Sequence, residues 1–586
     1  MLFLKTQIQQ LLTAALEALG PELSVPDTET PDVDRTKDPA HGDFATNIAL
    51  RLAKAAGRKP RELAAAIIAR IPANDIIVRT EIAGAGFINF FLASTAQHSV
   101  LLSILTSGAG YGRSTSANGK SVNVEFVSAN PTGPLHVGHG RHAAYGASLA
   151  NLLEAIGHRV HREYYINDAG RQMEILTASV WLRYLELGGE TFAFPSNGYR
   201  GDYLKPIALD LRAHLGDSLQ RPASAVFSGI TPDAPVGNED EHVDALIARA
   251  KQLLGDVAFG QIHEHALARM LAVIRADLAE FGVTFDQWFS ERALAESGEV
   301  ELALEALKTS GHLYQKDGAW WFRSTEFGDE KDRVVVRENG QKTYFASDIA
   351  YAINKRKRGF EHLLYVWGAD HHGYITRLRA SLEAAGGPAD CFEVRLIQFV
   401  ALYRGGQQIP MGKRSGEFVT LRALRNEVGN DATRFFYVMR GNDQSLDFDL
   451  ELATSRSNDN PVYYIQYAHA RVASVLAQLR ERKLDYDGAT ARANLALLSN
   501  EHELALIKSL SRYPEVVAMA AAQRAPHTLV HYLRDLANEF HAYYNAHMFI
   551  VDEAALRNAR VLLITALQQV VANGLGLIGV SAPDSM

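Results

Sequence analysis

The chain has 586 residues, of which 47% are hydrophobic and 22% are charged, and its formal net charge at pH 7 is −8. This length exceeds what one hydrophobic core supports, so two to four domains are expected. A single cysteine, Cys391, excludes an internal disulfide and a zinc site built from cysteines, and it fits a reducing cytoplasm. The negative charge argues against a protein that binds nucleic acid over its whole surface, but it leaves room for local basic patches.

The N-terminal segment MLFLKTQIQQLLTAALEALG is predicted to be an amphipathic helix, because Gln7, Gln9 and Glu17 interrupt the apolar stretch that a signal peptide would need. No window reaches 18 apolar residues, so we expect no membrane span. Residues 1 to about 110 are predicted to form a separate α+β domain ending in the strand GFINFFL. From residue 34 to residue 70 eight Lys/Arg stand against four Asp/Glu, and a solvated helix face is the simplest interpretation of that surplus.

From Ser121 the pattern changes to alternating strands and helices. SVNVEFVS is predicted to be a strand, residues 139–156 a helix and HRVHREYYI a strand; later, EHLLYVWG, ITRLRASLEAAG and EVRLIQFVAL are predicted as strand, helix and strand. This alternation predicts an α/β domain with a doubly wound parallel sheet over residues 111–455. Within it, residues from about 178 to 280 are predicted to be a polar, irregular insertion. Strand signals are absent from residues 456–586, which are predicted to form an all-α helical bundle.

Two histidines, His136 and His139, stand where the first strand of this region gives way to a helix, with Gly138 between them. A helix N-terminus offers unpaired N–H groups and a partial positive charge, which suit phosphate. The imidazoles could donate to phosphoryl oxygens, and the glycine leaves room for a planar base on the backbone. Two alternatives stay open for this motif alone: a pair of surface histidines, and a metal pair, although the HExxH spacing and a third ligand are missing.

A second element is the basic loop QQIPMGKRSGEFVTL, in which Gly412 and Gly416 flank Lys413 and Arg414. A lysine is a mobile point charge that can follow a departing polyphosphate. If this loop stood alone, a solvated surface loop would be the simpler interpretation.

Together, the His-x-Gly-His element after the first strand and the Met-x-Lys-Arg loop after the last strand resemble the two signatures of class I aminoacyl-tRNA synthetases. The segments EFVSANPTGPLHVGHGRHAAYG, YYINDAG, TYFASDIAY, WGADHHGY, NPVYYIQYAHAR and HGDFATNIA narrow the resemblance to the bacterial arginyl-tRNA synthetases, over essentially the whole chain. Pro410 and Gly412 stand where the second signature often has lysine and serine, while Lys413 matches its second lysine. The resemblance implies a Rossmann-type catalytic domain between an α+β N-terminal domain and an all-α C-terminal domain.

The resemblance also implies a reaction in two steps. The carboxylate of arginine attacks the α-phosphorus of ATP, and the 2′-hydroxyl of the terminal adenosine of tRNA(Arg) then takes the arginyl group from the adenylate. Catalysis of this kind rests on positioning and electrostatic stabilisation. Magnesium is expected with the ATP, and no zinc is expected. The implied catalytic residues are His136, His139 and Lys413, and the implied ATP-binding residues are Pro131, His136, Gly138, His139, Gly368, Asp370, Met411 and Lys413.

The amino-acid pocket can be argued from the chemistry of a guanidinium, which calls for carboxylates in fork geometry. Asp348 lies one helical turn from Tyr344, so the two side chains could bind the guanidinium donors and flank the apolar stem. Glu291 resembles a further family acid for the same end. Glu125 and Asn130 match family positions that hold the α-amino and carboxylate groups. Each of these acids could instead belong to a structural salt bridge.

The resemblance places the anticodon on the C-terminal helical domain and the D-loop of tRNA on residues 1 to about 110. The candidate tRNA-binding residues are Tyr463, Tyr467 and Arg471. Tyrosines can stack on splayed bases, and arginine can meet phosphate or base edges. The basic run Lys355–Arg358 is predicted to be a solvated helix end, with contact to the tRNA acceptor strand as the second choice. We expect a cytoplasmic monomer without membrane contact, whose partners are tRNA(Arg), L-arginine and ATP.

Two other functions are weighed against this one. A small-molecule nucleotidylyltransferase also places His-x-Gly-His on a similar sheet, but it needs neither the C-terminal helices nor the N-terminal domain. A non-catalytic tRNA-binding paralogue would be expected to have lost one of the implied site residues, and His136, His139, Lys413 and Asp348 are all present.

Overall fold

The computed structural model describes residues 4–20, 31–409 and 419–586. Two of the implied ATP-binding residues, Met411 and Lys413, therefore lie outside the described residues, as do Pro410 and Gly412.

The described residues of the N-terminal part form four α-helices and a small sheet. Its elements are α1 (Leu4–Leu19), β1 (Asp34–Arg35), β2 (Phe44–Thr46), α2 (Ile48–Leu52), α3 (Pro60–Ile68), β3 (Ile77–Ala83), β4 (Phe87–Leu92) and α4 (Ser94–Ser107). The strands are antiparallel in the order β1-β2-β4-β3. Every third or fourth residue of α1 is buried, from Leu4 to Leu19, so the predicted amphipathic helix is present.

The central part carries a five-stranded sheet flanked by helices. Its elements are β5 (Ser121–Glu125), α5 (Val137–Ala155), β6 (Arg159–Ile166), α6 (Arg171–Leu187), α7 (Leu204–Leu215), α8 (Ala223–Phe227), α9 (Glu239–Glu280), β7 (Gln287–Ser290), α10 (Glu291–Glu296), α11 (Glu299–Thr309), β8 (Leu313–Lys316), β9 (Ala319–Phe322), β10 (Arg333–Val336), α12 (Tyr344–Lys357), β11 (His362–Gly368), α13 (Ile375–Ala384), β12 (Phe392–Ile397), β13 (Val400–Arg404), β14 (Gln407–Gln408), α14 (Leu421–Val428), α15 (Asn430–Val438), β15 (Leu446–Asp449) and α16 (Leu450–Thr454). Smaller sheets have the orders β10-β9-β8 and β14-β13-β15.

The large sheet has the order β12-β11-β5-β6-β7, and all its strand pairs are parallel. The first strand is therefore central; the chain builds outward to β7 on one side and then returns to build β11 and β12 on the other. This is the doubly wound Rossmann order, and it confirms the predicted fold class. The direction reverses between β5 and β11, so their carboxyl ends open the crevice where such sheets bind ligands.

The predicted strand EVRLIQFVAL is two strands in different sheets. β12 ends at Ile397 in the parallel sheet, and β13 begins at Val400 in the β14-β13-β15 sheet. The break is held by Arg141 of α5, whose buried guanidinium donates to the Gln398 carbonyl at 2.8 Å. The Gln398 N–H in turn donates to the Asn442 carbonyl at 2.9 Å. A continuous apolar sequence runs across the break, so the periodicity alone could not reveal it.

The prediction of irregular structure between residues 178 and 280 is wrong, because most of this range is helical. It contains the end of α6, all of α7 and α8, and the long α9. Helix α9 is broken at Gly255, which has φ +76° and ψ 163°. Leu246 and Ile262, on either side of the break, are both buried. The glycine interrupts the 3.6-residue periodicity, and this interruption hid the helix from sequence analysis.

The C-terminal part contains helices and no strand among its described residues, as predicted. Its elements are α17 (Pro461–Glu481), α18 (Gly488–Ala493), α19 (Glu501–Gln523), α20 (Pro526–Ala546) and α21 (Ala554–Leu577). Within the described chain, α21 is the helix whose length and composition would suffice to cross a membrane. Most of it is buried against the other helices, and packing inside the bundle accounts for its apolar composition.

Helix α19 contacts both of the other two parts. From the N-terminal part, Arg35 donates to the Glu515 carboxylate at 2.9 Å; at the boundary with the central part, the Tyr111 hydroxyl donates to an α19 carbonyl at 3.2 Å. From the central part, Tyr145 of α5 donates to the carbonyl of Arg524, the residue that caps α19, at 2.7 Å. The helix that begins at the histidine motif is thus fixed to the same support as the N-terminal part.

Candidate active site

His136 and His139 hold each other in place at the start of α5. Nδ1 of His136, the N-cap residue, accepts from the N–H groups of Gly138 (3.1 Å) and His139 (3.4 Å), and Nδ1 of His139 accepts from the His136 N–H (3.3 Å). The two rings stack with their centroids 3.6 Å apart. Because Nδ1 is an acceptor in both rings, the proton of each neutral imidazole sits on Nε2. Each Nε2 is therefore a hydrogen-bond donor.

The packing of the histidine pair also explains why residue 138 is a glycine, apart from the room that a glycine leaves for a base. A Cβ atom at this position would lie 2.9 Å from Cε1 of His136, so any side chain would displace that ring. The glycine is thus needed for the histidine pair itself.

The chain that follows the Lys413 segment lies beside this motif. The Val137 N–H donates to the Val419 carbonyl at 3.2 Å, and the Leu421 N–H donates to the Leu135 carbonyl at 2.8 Å. Between them, His136 forms a β-bridge with Thr420. The two predicted signatures are therefore joined by backbone hydrogen bonds at the described end of the second one.

Two of the implied ATP-binding residues, Gly368 and Asp370, lie at the carboxyl end of β11, at the switch point of the sheet. Asp370 is largely exposed, with 69% of its side chain accessible. His142, a residue that sequence analysis did not select, lies on α5 near Gly368. Burial, together with the nearby His136, lowers the pKa of His142 to about 4, so this imidazole is neutral at physiological pH. Pro131 is buried in the turn that follows β5.

Asp348 and Glu291 are two acids whose charges interact. Burial raises the pKa of Asp348 to about 6; burial and the charge of Asp348 raise the pKa of Glu291 to about 7. The Tyr374 hydroxyl, which sequence analysis missed, donates to Asp348. Tyr344 is 67% exposed at the start of α12. No ion pair in the described part of the chain involves Asp348 or Glu291.

Glu291 is placed by Asp168, which belongs to the segment YYINDAG. The Asp168 carboxylate accepts from the Ser290 hydroxyl at 2.6 Å and from the Arg292 N–H at 2.9 Å. It therefore binds the residues on both sides of Glu291. The sequence does not show this role of Asp168, because the residues that it contacts lie more than a hundred positions away.

The other two predicted arginine-binding residues lie at the end of β5. Glu125 is buried, and its Oε2 atom is 2.5 Å from Nζ of Lys355. Asn130 is exposed and donates to Gln172 at 2.7 Å. The prediction of a solvated helix end for Lys355–Arg358 is wrong: Lys355 is fully buried, and Arg358 pairs with a buried carboxylate. A run of four basic residues suggests a solvated segment, but here two of them turn toward the sheet.

The candidate tRNA-binding residues lie along one face of α17. The rings of Tyr463 and Tyr467 stack with centroids 5.9 Å apart. The Arg471 guanidinium lies 4.4 Å from the Tyr467 ring and 4.5 Å from the Tyr544 ring, and its Nη1 is 2.9 Å from Nδ1 of His541. Arg471 is thus held within an aromatic cluster, and its role toward tRNA stays a prediction.

Comparison with known proteins matches three family models to successive parts of the chain. The arginyl tRNA synthetase N terminal domain matches residues 6–92, the catalytic domain of the class I (R) tRNA synthetases matches 100–186 and 248–449, and the DALR anticodon binding domain matches 465–586. The catalytic match omits most of the range predicted as an insertion. The sheet order, the histidine pair and the catalytic match together define a class I aminoacyl-tRNA synthetase.

Individual relatives narrow the class. The chain is 58% identical over 586 residues to the arginine–tRNA ligase of Thioalkalivibrio sulfidiphilus and 52% identical over 586 residues to that of Legionella pneumophila strain Paris, with 100% of both chains covered in each case. The solved arginyl-tRNA synthetase of Thermus thermophilus shares the fold, with a TM-score of 0.73 over 99% of this chain and 100% of that one, at 24% identity. The chain belongs to the arginyl-tRNA synthetase family.

Proposed function

We propose that the crevice between β5 and β11 is where this chain carries out the family's reaction, the ATP-dependent ligation of arginine to tRNA(Arg). Arginine is first activated to arginyl-adenylate with release of pyrophosphate, and the 2′-hydroxyl of the terminal adenosine then takes the arginyl group. The observation that carries the assignment is the pair of acids, Glu291 and Asp348, whose charges interact; neither forms an ion pair among the described residues, although the charge of Arg377 acts on Asp348.

Charge balance favours a guanidinium as the ligand of this pair. Two other buried acids of the sheet are matched, Glu125 by Lys355 and Glu163 by Arg358. Glu291 and Asp348 repel each other, and a planar cation with five donors relieves that repulsion and binds both carboxylates. Tyr374 holds Asp348 in place, and Tyr344 flanks the apolar stem of the substrate. In this arrangement Glu125 accepts from the α-ammonium group, and Asn130 binds the carboxylate end.

The histidine pair serves the ATP. With Nε2 as the protonated atom in both rings, His136 and His139 donate to oxygens of the α-phosphate as negative charge builds there. Gly138, Pro131, Gly368 and Asp370 surround the adenosine. Met411 and Lys413 belong to the loop whose described end is bonded to the histidine motif, and this supports Lys413 as the group that meets the departing pyrophosphate. Mg²⁺ enters with the ATP as part of the substrate.

We further propose three functional units within a cytoplasmic monomer. Residues 1 to about 110 bind the D-loop region of the tRNA, residues 111–455 carry the chemistry, and residues 456–586 bind the anticodon through Tyr463, Tyr467 and Arg471. The docking of α4 on α19 and α21 favours a first boundary nearer residue 93, where the N-terminal family match also ends. Bound tRNA is expected to be needed for arginine activation.

Pyrophosphate exchange tests the proposal and separates it from the two alternatives. Exchange should depend on arginine and on added tRNA(Arg), and citrulline, a neutral isostere of arginine, should support none. A nucleotidylyltransferase would exchange without arginine, and a non-catalytic paralogue would not exchange under any condition. If citrulline supports pyrophosphate exchange as well as arginine does, the two carboxylates do not recognise the charge of the substrate.

A further inference from the structure

Two carboxylates stand side by side in the centre of the parallel sheet. Glu125 of β5 pairs in register with Glu163 of β6, and on its other side Glu125 pairs with Tyr365 of β11. Registered neighbours on adjacent strands lie on the same face of a sheet, about 4.8 Å apart. Both acids are buried, with Glu163 fully inaccessible. Two neighbouring carboxylates buried in such a place repel each other, and a cation placed beside them offsets that repulsion.

Lys355 of α12 supplies that cation. Its side chain is fully buried, and Nζ lies 2.5 Å from Glu125 Oε2 and 3.9 Å from Glu163 Oε1. The ammonium group also lies over two aromatic rings, 4.3 Å from the centroid of Tyr351 and 3.9 Å from that of Tyr365. Carboxylates and π faces therefore surround this lysine.

The lysine is directed to Glu125 rather than shared equally, because Glu163 has partners of its own. Arg358 donates to both oxygens of Glu163, at 2.6 and 2.8 Å, and the Tyr351 hydroxyl donates to it at 2.6 Å. Although burial alone would raise it, the pKa of Glu163 is held below its usual value by His161, Lys355 and Arg358. Removing Lys355 would therefore leave Glu125, and not Glu163, without a cation.

The second oxygen of Glu125 is held by a strained turn. Val127 has φ +69° and Ser128 φ +40°, and the Ser128 N–H donates to the Phe126 carbonyl at 3.0 Å. A positive φ is a rare conformation for a β-branched residue, and such strain persists where the surroundings fix it, commonly at functional sites. The turn brings the Ser128 hydroxyl 3.2 Å from Glu125 Oε1, and that hydroxyl also accepts from the Tyr165 N–H at 3.1 Å.

We propose that Lys355 is a positioning residue for recognition of the substrate's α-ammonium group: together with Ser128 it holds the Glu125 carboxylate in the position from which it accepts from that group. The proposal rests on the role of Glu125 proposed above. Lys355 is seven residues beyond Asp348 on α12. One helix therefore carries Asp348, which is proposed to bind the guanidinium, and Lys355, which positions Glu125 for the α-ammonium group. Recognition of both ends of the substrate thus depends on the same helix.

The test compares arginine with its 2-hydroxy analogue, 5-guanidino-2-hydroxypentanoic acid, which lacks the ammonium group. In Lys355→Met we expect the KM for arginine in pyrophosphate exchange to rise by roughly 10- to 100-fold, the worth of one charged hydrogen bond. The inhibition constant of the hydroxy analogue and the KM for ATP should change less than threefold. A merely structural role would weaken all three ligands alike.

Two further variants separate positioning from folding. Lys357→Met makes the same change at an exposed residue of the same helix and should leave every constant at its wild-type value. The double variant Glu125→Gln, Lys355→Met removes both buried charges, so it should recover thermal stability lost in the single variant while arginine binding stays weak. If Lys355→Met does not fold, Lys355→Arg, which keeps the buried cation but moves it, carries the test: a raised ratio of the arginine KM to the hydroxy-analogue inhibition constant supports positioning, and a wild-type ratio overturns it.

The outcomes also separate this proposal from the role of Glu125. If Glu125→Gln discriminates between arginine and the hydroxy analogue as the wild type does, the proposed role of Glu125 is wrong. If Glu125→Gln loses that discrimination but Lys355→Met keeps it, only the positioning role of Lys355 is overturned. Loss of discrimination in both variants, with ATP binding intact, is the result we expect.

Discussion

Among the acids of the site, some form ion pairs with a lysine or arginine and others do not. Glu125 has Lys355, and Glu163 has Arg358, whereas Glu291 and Asp348 have raised pKa values near 7 and 6. Sequence analysis selected Glu125, Glu291 and Asp348 together by resemblance. It could not distinguish the matched acid from the unmatched pair, because the lysine that balances Glu125 lies 230 positions away in the chain.

The raised pKa values predict how arginine binding depends on pH. Below about pH 6 both Glu291 and Asp348 are largely protonated, and a guanidinium binds the ionised forms, so affinity should rise with pH through the range from 6 to 7. We expect the KM for arginine to fall by about tenfold or more between pH 5.5 and pH 8, while the KM for ATP changes little. In Glu291→Gln the upper part of this dependence should vanish. A flat arginine profile in the wild type would contradict the assignment of the acid pair.

The same groups give a linked prediction for stability. Their native pKa values lie above the unfolded ones, so without arginine their contribution to the free energy of unfolding falls as pH rises from about 4 to 7. Bound arginine favours the ionised forms and offsets that loss. Saturating arginine should therefore raise Tm more at pH 8 than at pH 5.5, and an equal increase at both values would count against the pair.

Substitution of Gly138 should slow the reaction at the α-phosphate of ATP without weakening the binding of arginine. A Cβ at residue 138 would lie 2.9 Å from Cε1 of His136, so Gly138→Ala should displace a phosphate donor. Loss of one preorganised donor typically lowers kcat by about 10²-fold. The KM for arginine should stay within a factor of two. Gly576→Ala in α21, where a new Cβ meets nothing within 4 Å, is the matched control. Wild-type exchange by Gly138→Ala would show that the ring pair is not catalytic.

At the scale of elements, the alternation of strands and helices predicted the parallel sheet, the helix after the histidine motif and the C-terminal bundle. The failures have physical causes that periodicity does not record. The strand break at Gln398 depends on the distant Arg141, and the helix break at Gly255 interrupts an otherwise regular pattern. The basic run that ends α12 looked solvated, because burial of Lys355 depends on two acids brought to it by the sheet.

Arg141 is the group that joins these elements, and its loss should be costly. It is buried in α5 and donates to three carbonyls, those of Gln398, Gly441 and Gln444, at 2.8 to 2.9 Å. Because the carbonyls would be left buried, Arg141→Met should lower the free energy of unfolding by about 3 kcal/mol. Chemical denaturation measures the change, with the exposed Arg440→Met as the control. Equal stabilities of the two variants would contradict this account of the strand break.

At the scale of the whole molecule, α19 connects the part proposed to bind the D-loop with the helix that begins at the histidine pair. Arg35 attaches the N-terminal part to it, Tyr111 attaches the boundary with the central part, and Tyr145 attaches α5. A deletion of residues 1 to 110 would therefore remove packing from α19 as well as any tRNA contact. Point substitutions on the exposed basic surface of the N-terminal part give a cleaner test.

Lys54, exposed between α2 and α3, belongs to the local basic surplus. Lys54→Glu should raise the KM for tRNA(Arg) severalfold at low salt and reduce the salt dependence of binding by about one phosphate contact. Arginine and ATP constants measured with saturating tRNA should not change. Lys308→Glu reverses an exposed charge in the central part and serves as the control. If both reversals weaken tRNA equally, the N-terminal part has no specific role in binding it.

Asp348→Asn is the sharpest test of whether Glu291 and Asp348 recognise the charge of arginine. The amide keeps the shape of the side chain and its contact with Tyr374 but removes the charge that pairs with the guanidinium. The measurement is arginine-dependent pyrophosphate exchange with saturating tRNA(Arg), with arginine and ATP varied in turn and Glu326→Gln, an exposed acid, as the control. We predict a KM for arginine raised by roughly 10- to 100-fold and a KM for ATP within twofold of wild type. A raised KM for ATP with an unchanged KM for arginine would contradict the claim.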